Sequence, residues 1–228
     1  MTPWKRRWRV ELHCHTHYSS DCAMSFEKLL QSAVDRKIDC LAITDHNRFA
    51  AGPLLQQIAP IPIILGEEIK SSHGEIVGLF LKEEIPRGLS PEDTLARIRE
   101  QGGVSFVPHP FDRFRNSRLR EDKVFELEDQ LDAIETYNAR VLLPTDNQRA
   151  ERYAAERGLL QVSASDAHQP NEVGRSYLLM EPFDDAEGFR RSLKTSRRVR
   201  RLSSAFVHVI TRYDKLRTRL GLRRLPEG

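Results

Sequence analysis

Glu11-Leu12-His13-Cys14-His15-Thr16-His17 concentrates three of the chain's eight histidines in five positions. On an extended backbone successive side chains alternate faces, so His13 and His15 project together and can share one cation. Val10 and Leu12 place the pair where a buried strand emerges. Five further apolar runs end in residues able to ligate metal: Ile43-Thr44-Asp45-His46, Leu65-Gly66-Glu67-Glu68, Phe106-Val107-Pro108-His109, Ile134-Glu135, and Val162-Ser163-Ala164-Ser165-Asp166-Ala167-His168. Imidazoles and carboxylates without thiolates suit zinc, manganese or iron, and argue against a structural cysteine–zinc site. The set is too large for one four-coordinate ion and fits two or three divalent ions bridged by a carboxylate. Such a cluster can acidify a bridging water to hydroxide, clamp substrate oxygens and offset charge on a leaving oxygen. No Gly-x-Ser-x-Gly elbow and no Gly-x-x-x-x-Gly-Lys-Ser/Thr loop is present, so neither serine acylation nor P-loop chemistry is indicated.

Short apolar runs alternate with amphipathic stretches, which predicts an α/β fold. Strands are expected near 9–15, 40–45, 61–69, 75–81, 103–108, 133–138 and 160–166, with an edge run at 176–181. Ser25 and Ser90 are N-cap candidates, the latter followed by Pro91 and two acids. Residues 144–157 and 184–194 read as helices. Only Ser71-Ser72-His73-Gly74 separates the third and fourth strands, so they should form a hairpin that breaks a regular eightfold barrel. In parallel β/α barrels the strand C-termini converge on one face, where catalytic groups sit.

The ordered motifs Glu11-Leu12-His13-Cys14-His15-Thr16 with Tyr18-Ser19-Ser20-Asp21, Ala42-Ile43-Thr44-Asp45-His46, Gly66-Glu67-Glu68, Pro108-His109-Pro110 and Ser165-Asp166-Ala167-His168 resemble those of the PHP (polymerase and histidinol phosphatase) superfamily of metal-dependent phosphoesterases. The resemblance covers roughly residues 9–205. It implies a distorted seven-stranded (β/α) barrel over 1–204, with 205–228 as a basic C-terminal helix on or beside it. It further implies up to three divalent metal ions. One would take His13, His15, Glu68 and Asp166; a second Asp21, His46 and His168; a third Glu68 as a bridge, His109 and a hairpin residue. Strand register favours Glu75 in that last position, although His73 is the nearby imidazole. The Gly-x-Glu pattern selects Glu68 over Glu67, which is left as a surface or supporting carboxylate.

Other residues have weaker cases. Asp166 and His168 are within reach to move the leaving-group proton. Arg113, one turn past His109, and Arg175 are candidates for a phosphate, the alternative for either being an ion pair with a nearby acid such as Asp112. His17, past the strand, is a candidate to face substrate. Asp45 falls opposite His46 in parity and suits orienting or capping. Glu135 suits either substrate or a structural hydrogen bond, His208 packing or surface, and Cys14 packing.

With 39% hydrophobic and 30% charged residues the chain reads as a soluble globular protein of about one domain. Cys14, Cys22 and Cys40 without Cys-x-x-Cys spacing, and no signal-peptide core after Trp4-Lys5-Arg6-Arg7-Trp8, predict a cytoplasmic protein with no membrane span. The formal charge is +3, but Arg190 to Arg224 is densely basic. Within it Phe206, Val209, Ile210, Tyr213, Leu216 and Leu220 recur at helical spacing, which predicts a helix with those residues shielded against the barrel. Arg197 to Arg201 reads as a basic linker. The expected partner is a small phosphorylated metabolite, nucleotides and nucleoside bisphosphates foremost. Alternatives are histidinol phosphate and a short oligonucleotide held by the basic tail, as for a 5′-3′ exonuclease. An amidohydrolase usually brings a carboxylated lysine or a second histidine pair from mid-barrel strands, whereas these strand ends carry Glu68 and His109 with no matching lysine; a non-catalytic metal module would have lost ligands that are present. The sequence carries no signal of oligomeric state.

Overall fold

A computed structural model describes residues 6–226 of the chain; Trp4 and Lys5 of the basic N-terminal stretch lie outside the described residues, as do residues 1–3, 227 and 228. The strands are β1 (Trp8–Glu11), β2 (Cys40–Ile43), β3 (Ile63–Ser71), β4 (Gly74–Leu79), β5 (Val104–Val107), β6 (Ala133–Asn138), β7 (Gln161–Ala164), β8 (Tyr177–Met180) and β9 (Arg197–Val199). The helices are α1 (Phe26–Asp35), α2 (Ala51–Ile58), α3 (Pro91–Glu100), α4 (Glu121–Leu127), α5 (Pro144–Arg157), α6 (Ala186–Leu193) and α7 (Val207–Arg219). Ser25 and Ser90 cap α1 and α3 by accepting from the backbone N–H of Lys28 and Asp93. α2 and α4 begin at Ala50 and Arg120, neither of which makes a side-chain cap, so the cap signal that marks α1 and α3 is missing there.

One sheet of nine strands runs β7-β6-β5-β4-β3-β2-β1-β8-β9. Seven match the expected barrel strands, β8, antiparallel to β1, is the expected edge run, and β9 replaces the expected basic linker. β3 and β4 form the expected antiparallel hairpin, and β4 is also antiparallel to β5. The sheet curls until β7 nearly meets β1. Past both strands a parallel bridge joins Cys14 to Ala167, with the His15 N–H 2.9 Å from the Ala167 carbonyl. Gly66 is required by close packing at this curl: a Cβ there would lie 2.8 Å from the Gly78 carbonyl oxygen and 3.1 Å from that of Ile43.

Inward-facing residues form two layers. Val10, Leu12, Cys40, Ala42, Ile64, Val77, Val104, Phe106, Ala133, Val162 and Ala164 fill the lower barrel in one apolar cluster. Directly above them, at the C-terminal ends of the parallel strands, the same faces switch to histidine and carboxylate. Period-two alternation carries both layers: Ile64 and Glu68 share a face of β3, and Glu75 and Val77 share one of β4.

Helix α7 lies across this polar end of the barrel, but with the opposite face inward from the one expected. Phe206, Val209, Tyr213, Leu216 and Leu220 are exposed, each by more than half. The buried side instead carries Val207 and Asp214. Polar groups hold the helix: the Arg140 guanidinium donates to Thr211 Oγ1 at 2.6 Å, Thr218 Oγ1 to the Ser20 carbonyl at 2.8 Å, and Gln169 Nε2 to Asp214 Oδ2 at 3.4 Å. The barrel end beneath α7 is polar, so the polar helix face pairs with it.

Glu67 is fully buried, not a surface carboxylate. It lies on the opposite face of β3 from Glu68 and accepts the Ile85 N–H at 2.9 Å. Burial pushes its pKa from 4.5 up to about 8, with a smaller push from Glu84. Folding therefore favours the protonated acid. That contribution is complete below the unfolded-state value of about 4.5 and is lost as pH rises toward 8. Glu67→Gln keeps an acceptor for Ile85 and removes the titration. The melting temperature of the wild type should fall relative to that of Glu67→Gln between pH of about 5 and about 8; parallel pH profiles would contradict the assignment.

Candidate metal centre

The Glu68 carboxylate is the centre of the polar layer. Its Oε2 lies 3.2 Å from His13 Nε2, 3.3 Å from His15 Nε2 and 3.0 Å from His46 Nδ1, while Oε1 lies 3.2 Å from His109 Nε2. Four histidines from three separate parts of the chain thus meet one carboxylate. Asp166 Oδ1 lies 3.3 Å from His15 Nε2 and 3.7 Å from His13 Nε2. Asp21 reaches His46 Nε2 and His168 Nε2, each at 3.5 Å. Glu75 stands 3.9 Å from His46 Nδ1 and 3.8 Å from His109 Nε2.

These spacings fit donors arranged around cations. Ligands about 2.1 Å from a tetrahedral ion lie roughly 3.4 Å from one another. Three overlapping groups have ligand atoms within 4.8 Å of each other: His13, His15 and Glu68; His15, His46 and His168; and His46, Glu68 and Glu75. His15 Nε2, Asp21 Oδ1, Glu75 Oε2 and Asp166 Oδ1 are all buried without a hydrogen-bond partner. Buried polar atoms are ordinarily satisfied, and a cation satisfies these four together. The donor set therefore fits divalent metal.

The expected hairpin ligand is Glu75 by position. His73 sits in the β3–β4 turn, its Nδ1 2.9 Å from Ser72 Oγ, and lines a separate surface depression with Arg118 and Arg120. Gly74, at φ +137°, passes so close to the 118–119 backbone that a Cβ would lie 2.2 Å from Leu119 Cα. That contact fixes the turn from which Glu75 enters the site.

Two ligand positions carry left-handed backbone, His109 at φ 31° and Asp166 at φ 53°. Non-glycine residues reach this region at a cost that the surrounding structure must sustain, and such positions gather at functional sites. Each follows the end of its strand, so the kink redirects the side chain toward Glu68.

A further set of buried groups orients the ligands. His13 Nδ1 lies 3.3 Å from Glu135 Oε1, and Glu135 Oε2 accepts the His109 N–H at 2.7 Å, so one carboxylate positions two candidate ligands. Ser19 Oγ bridges His15 Nδ1 at 3.2 Å and Asp45 Oδ1 at 2.5 Å, and Asp45 also accepts from the Thr16 N–H and hydroxyl. Glu11 accepts four backbone N–H groups, from Leu12, His13, Ser165 and Gly174, tying the first motif to the last. Burial pushes Glu11 up to about 7 despite those bonds.

The site's own charges set its protonation. Burial pushes the Glu68 pKa upward, but His46 and His13 outweigh it and hold the carboxylate well below its usual range. Burial likewise opposes ionisation of Asp166, and the Arg115 guanidinium with His13 overcomes it. His168 is pushed down to about 3 by burial, then by Arg140 and His15. Asp166 and His168 are therefore both unprotonated near neutral pH, which suits metal ligation or proton acceptance and not proton donation.

The arginine beside the site is Arg115. Its guanidinium pairs with Asp166 and lies 3.6 Å from Asp112, and it lines a cavity of about 480 Å³ over the metal ligands. Arg113, two residues earlier, is more than half exposed and forks onto Asp146 with Nη2–Oδ1 at 2.7 Å. Arg175 does not line this cavity and follows the turn that Glu172 closes. His17 also lies outside it, packed on Tyr18 and Phe26 with Nδ1 3.3 Å from the Met24 carbonyl. Arg140 and Lys70 line the cavity as well. Neither Arg115 nor Arg140 ends an apolar run, which is the signal that marks most of the candidate metal ligands.

A family model described as "PHP domain" matches residues 11–85, and one described as "PHP-associated" matches residues 144–197. The first spans the motifs from His13 through Glu75; the second takes in Asp166 and His168. An uncharacterized protein of Methanocaldococcus jannaschii is 37% identical over 144 residues, 58% of this chain and 82% of the relative. PsfC from Pseudomonas syringae is similar in structure, with a TM-score of 0.70 at 18% identity, covering 92% of this chain and 98% of PsfC. A two-domain protein from Bacteroides vulgatus, described as containing a predicted PHP-like metal-dependent phosphoesterase, has a TM-score of 0.67 at 16% identity, covering 92% of this chain and 70% of that one.

The hairpin geometry separates two single variants. Glu75→Ala should lower the metal bound per chain, measured by elemental analysis after purification without chelator, whereas His73→Ala should leave it at the wild-type value. Equal metal content in Glu75→Ala and wild type would remove Glu75 from the ligand set.

Proposed function

Because the chain belongs to the PHP family, we propose that it is a metal-dependent phosphoesterase of small phosphomonoesters, nucleotides and nucleoside bisphosphates foremost. The observation that carries this reading is one cavity lined both by candidate metal ligands and by cationic side chains. Glu75, His46, Asp21 and His168 line it together with Arg115 and Lys70. At about 480 Å³ the cavity is in the range of small-molecule sites.

Divalent ions bound at the histidine–carboxylate cluster would lower the pKa of an attacking water and neutralise phosphoryl and leaving-group charge. The chain's own residues supply the rest. Glu68 and Asp166 stay ionised in the low-dielectric barrel mouth, because imidazoles and the Arg115 guanidinium surround them. Arg115, held by Asp166 and Asp112, brings a guanidinium charge to the cavity wall that a phosphoryl oxygen can meet. Glu135 and the Asp45–Ser19 pair hold His13 and His15 in place, so the ligand geometry is set before substrate arrives. The apolar layer beneath, with Phe106 edge-on to His13 at 6.3 Å between ring centroids, seals the floor of the site.

Purified protein supplied with manganese, zinc or iron should release phosphate from small phosphomonoesters and lose that activity to a chelator. Arg115→Ala should lower kcat/KM about 100-fold, in the range seen when one preorganised charge-stabilising donor is lost. Cleavage of short oligonucleotides without monoester turnover would replace this reading with a phosphodiesterase. No turnover of any phosphate ester with any of the three metals would overturn it.

A further inference from the structure

Helix α7 is amphipathic, yet it turns its apolar face to solvent and its polar face to the cavity. Val209, Tyr213 and Leu216 are each more than half exposed in this orientation. The observed orientation instead gives the cavity wall His208, Thr211, Arg212 and Lys215. The helix and the turn after it are anchored to loops that adjoin candidate ligands: Thr218 donates to the Ser20 carbonyl, Gln169 to Asp214, and Arg223, just past the helix, to the Ser19 carbonyl at 2.7 Å. It is thus held over the site by specific polar contacts and not by an apolar seam.

Two features of this wall point to an anion. Arg212 and Lys215 line the cavity and have no ion-pair partner among the described residues, although most arginines elsewhere near the site do. Between α7 and the metal ligands lies Arg140, only 3% exposed. Its Nη atoms bind Thr211 and Glu172, while its Nε has no hydrogen-bond partner. The single acid of α7, Asp214, is buried away on Gln169 and offsets nothing at the cavity mouth.

We infer that Arg212 and Lys215 of α7, backed by Arg140, form a second anion subsite that holds a non-scissile phosphate or carboxylate of the substrate. The substrates selected are small molecules with two separated anionic groups, one at the metal ligands and one under α7. This rests on the phosphoesterase reading for the placement of the scissile phosphate; the binding itself does not require turnover.

The test is calorimetric titration of non-hydrolysable phosphonate analogues of a nucleoside bisphosphate and of the corresponding monophosphate, into wild type and into R212Q/K215Q, each loaded with manganese. Both substituted side chains are exposed and outside the ligand set, so melting temperature and metal content should not change. The wild type should bind the bisphosphate about 10-fold or more tighter than the monophosphate, from two phosphate–cation contacts at the solvent-accessible wall. R212Q/K215Q should lose that preference with monophosphate affinity unchanged, and where turnover is measured the loss should appear in KM and not in kcat. A wild type without preference, or a variant that keeps it, overturns the subsite. Preferential binding of the bisphosphate analogue with no hydrolysis of the parent esters would overturn the phosphoesterase reading and leave the subsite standing.

Discussion

A buried carboxylate surrounded by four imidazoles is the constraint to which the rest of this structure answers. Glu68 sits at full burial with His13, His15, His46 and His109 all within 3.3 Å of its oxygens. Burying a charge without compensation costs several kcal/mol. Protons can supply part of the compensation, since the carboxylates around His13 hold its pKa well above its usual value despite burial. Divalent cations supply it more completely, because neutral imidazoles and ionised carboxylates are the forms that metals bind. The unpartnered atoms on Asp21, Glu75 and Asp166 follow the same logic.

The barrel makes that concentration of charge sustainable. Its lower interior is an unbroken apolar layer, so stability comes from below while the polar layer is free to serve chemistry. Orientation is set by groups that touch no reacting atom. Glu135 fixes His13 and His109 together, Ser19 relays Asp45 to His15, and Glu11 gathers four N–H groups from the first and last motifs. The left-handed backbone at His109 and Asp166 is the cost of turning two strand ends sharply inward. α7 then closes the assembly with a polar face, because what it meets is polar.

How much of this was legible depended on whether a residue's role was encoded locally. His13 and His15 declared themselves by alternation, and that parity holds even though β1 ends at Glu11, because the chain stays extended through the Cys14–Ala167 bridge. Glu75 was separable from His73 by strand register alone. Arg115 was not separable from Arg113, since the loop after His109 has no period that says which guanidinium turns inward. Glu67 and Glu68 are adjacent carboxylates; alternation put only one of them in the site, and the Gly-x-Glu pattern selected Glu68. Alternation could not show that the other face of β3 is covered as well. α7 misled most, because an apolar stripe ordinarily marks a buried face. Here the polarity of the surface beneath the helix decided, and that surface is assembled from residues 20, 140 and 169, far away in sequence. The N-caps of α1 and α3 were readable, whereas α2 and α4 begin without one.

The central claim is that Glu68 joins more than one cation into a single cluster, and counting metal per chain tests it most directly. Elemental analysis of wild type and Glu68→Gln, both purified without chelator and reconstituted with manganese, compares a bridging carboxylate with its neutral isostere. The account predicts at least about two ions in the wild type and a loss of more than one in the variant, because one carboxylate serves several positions. A wild type that binds no metal, or a Glu68→Gln protein that keeps the full complement, would contradict it.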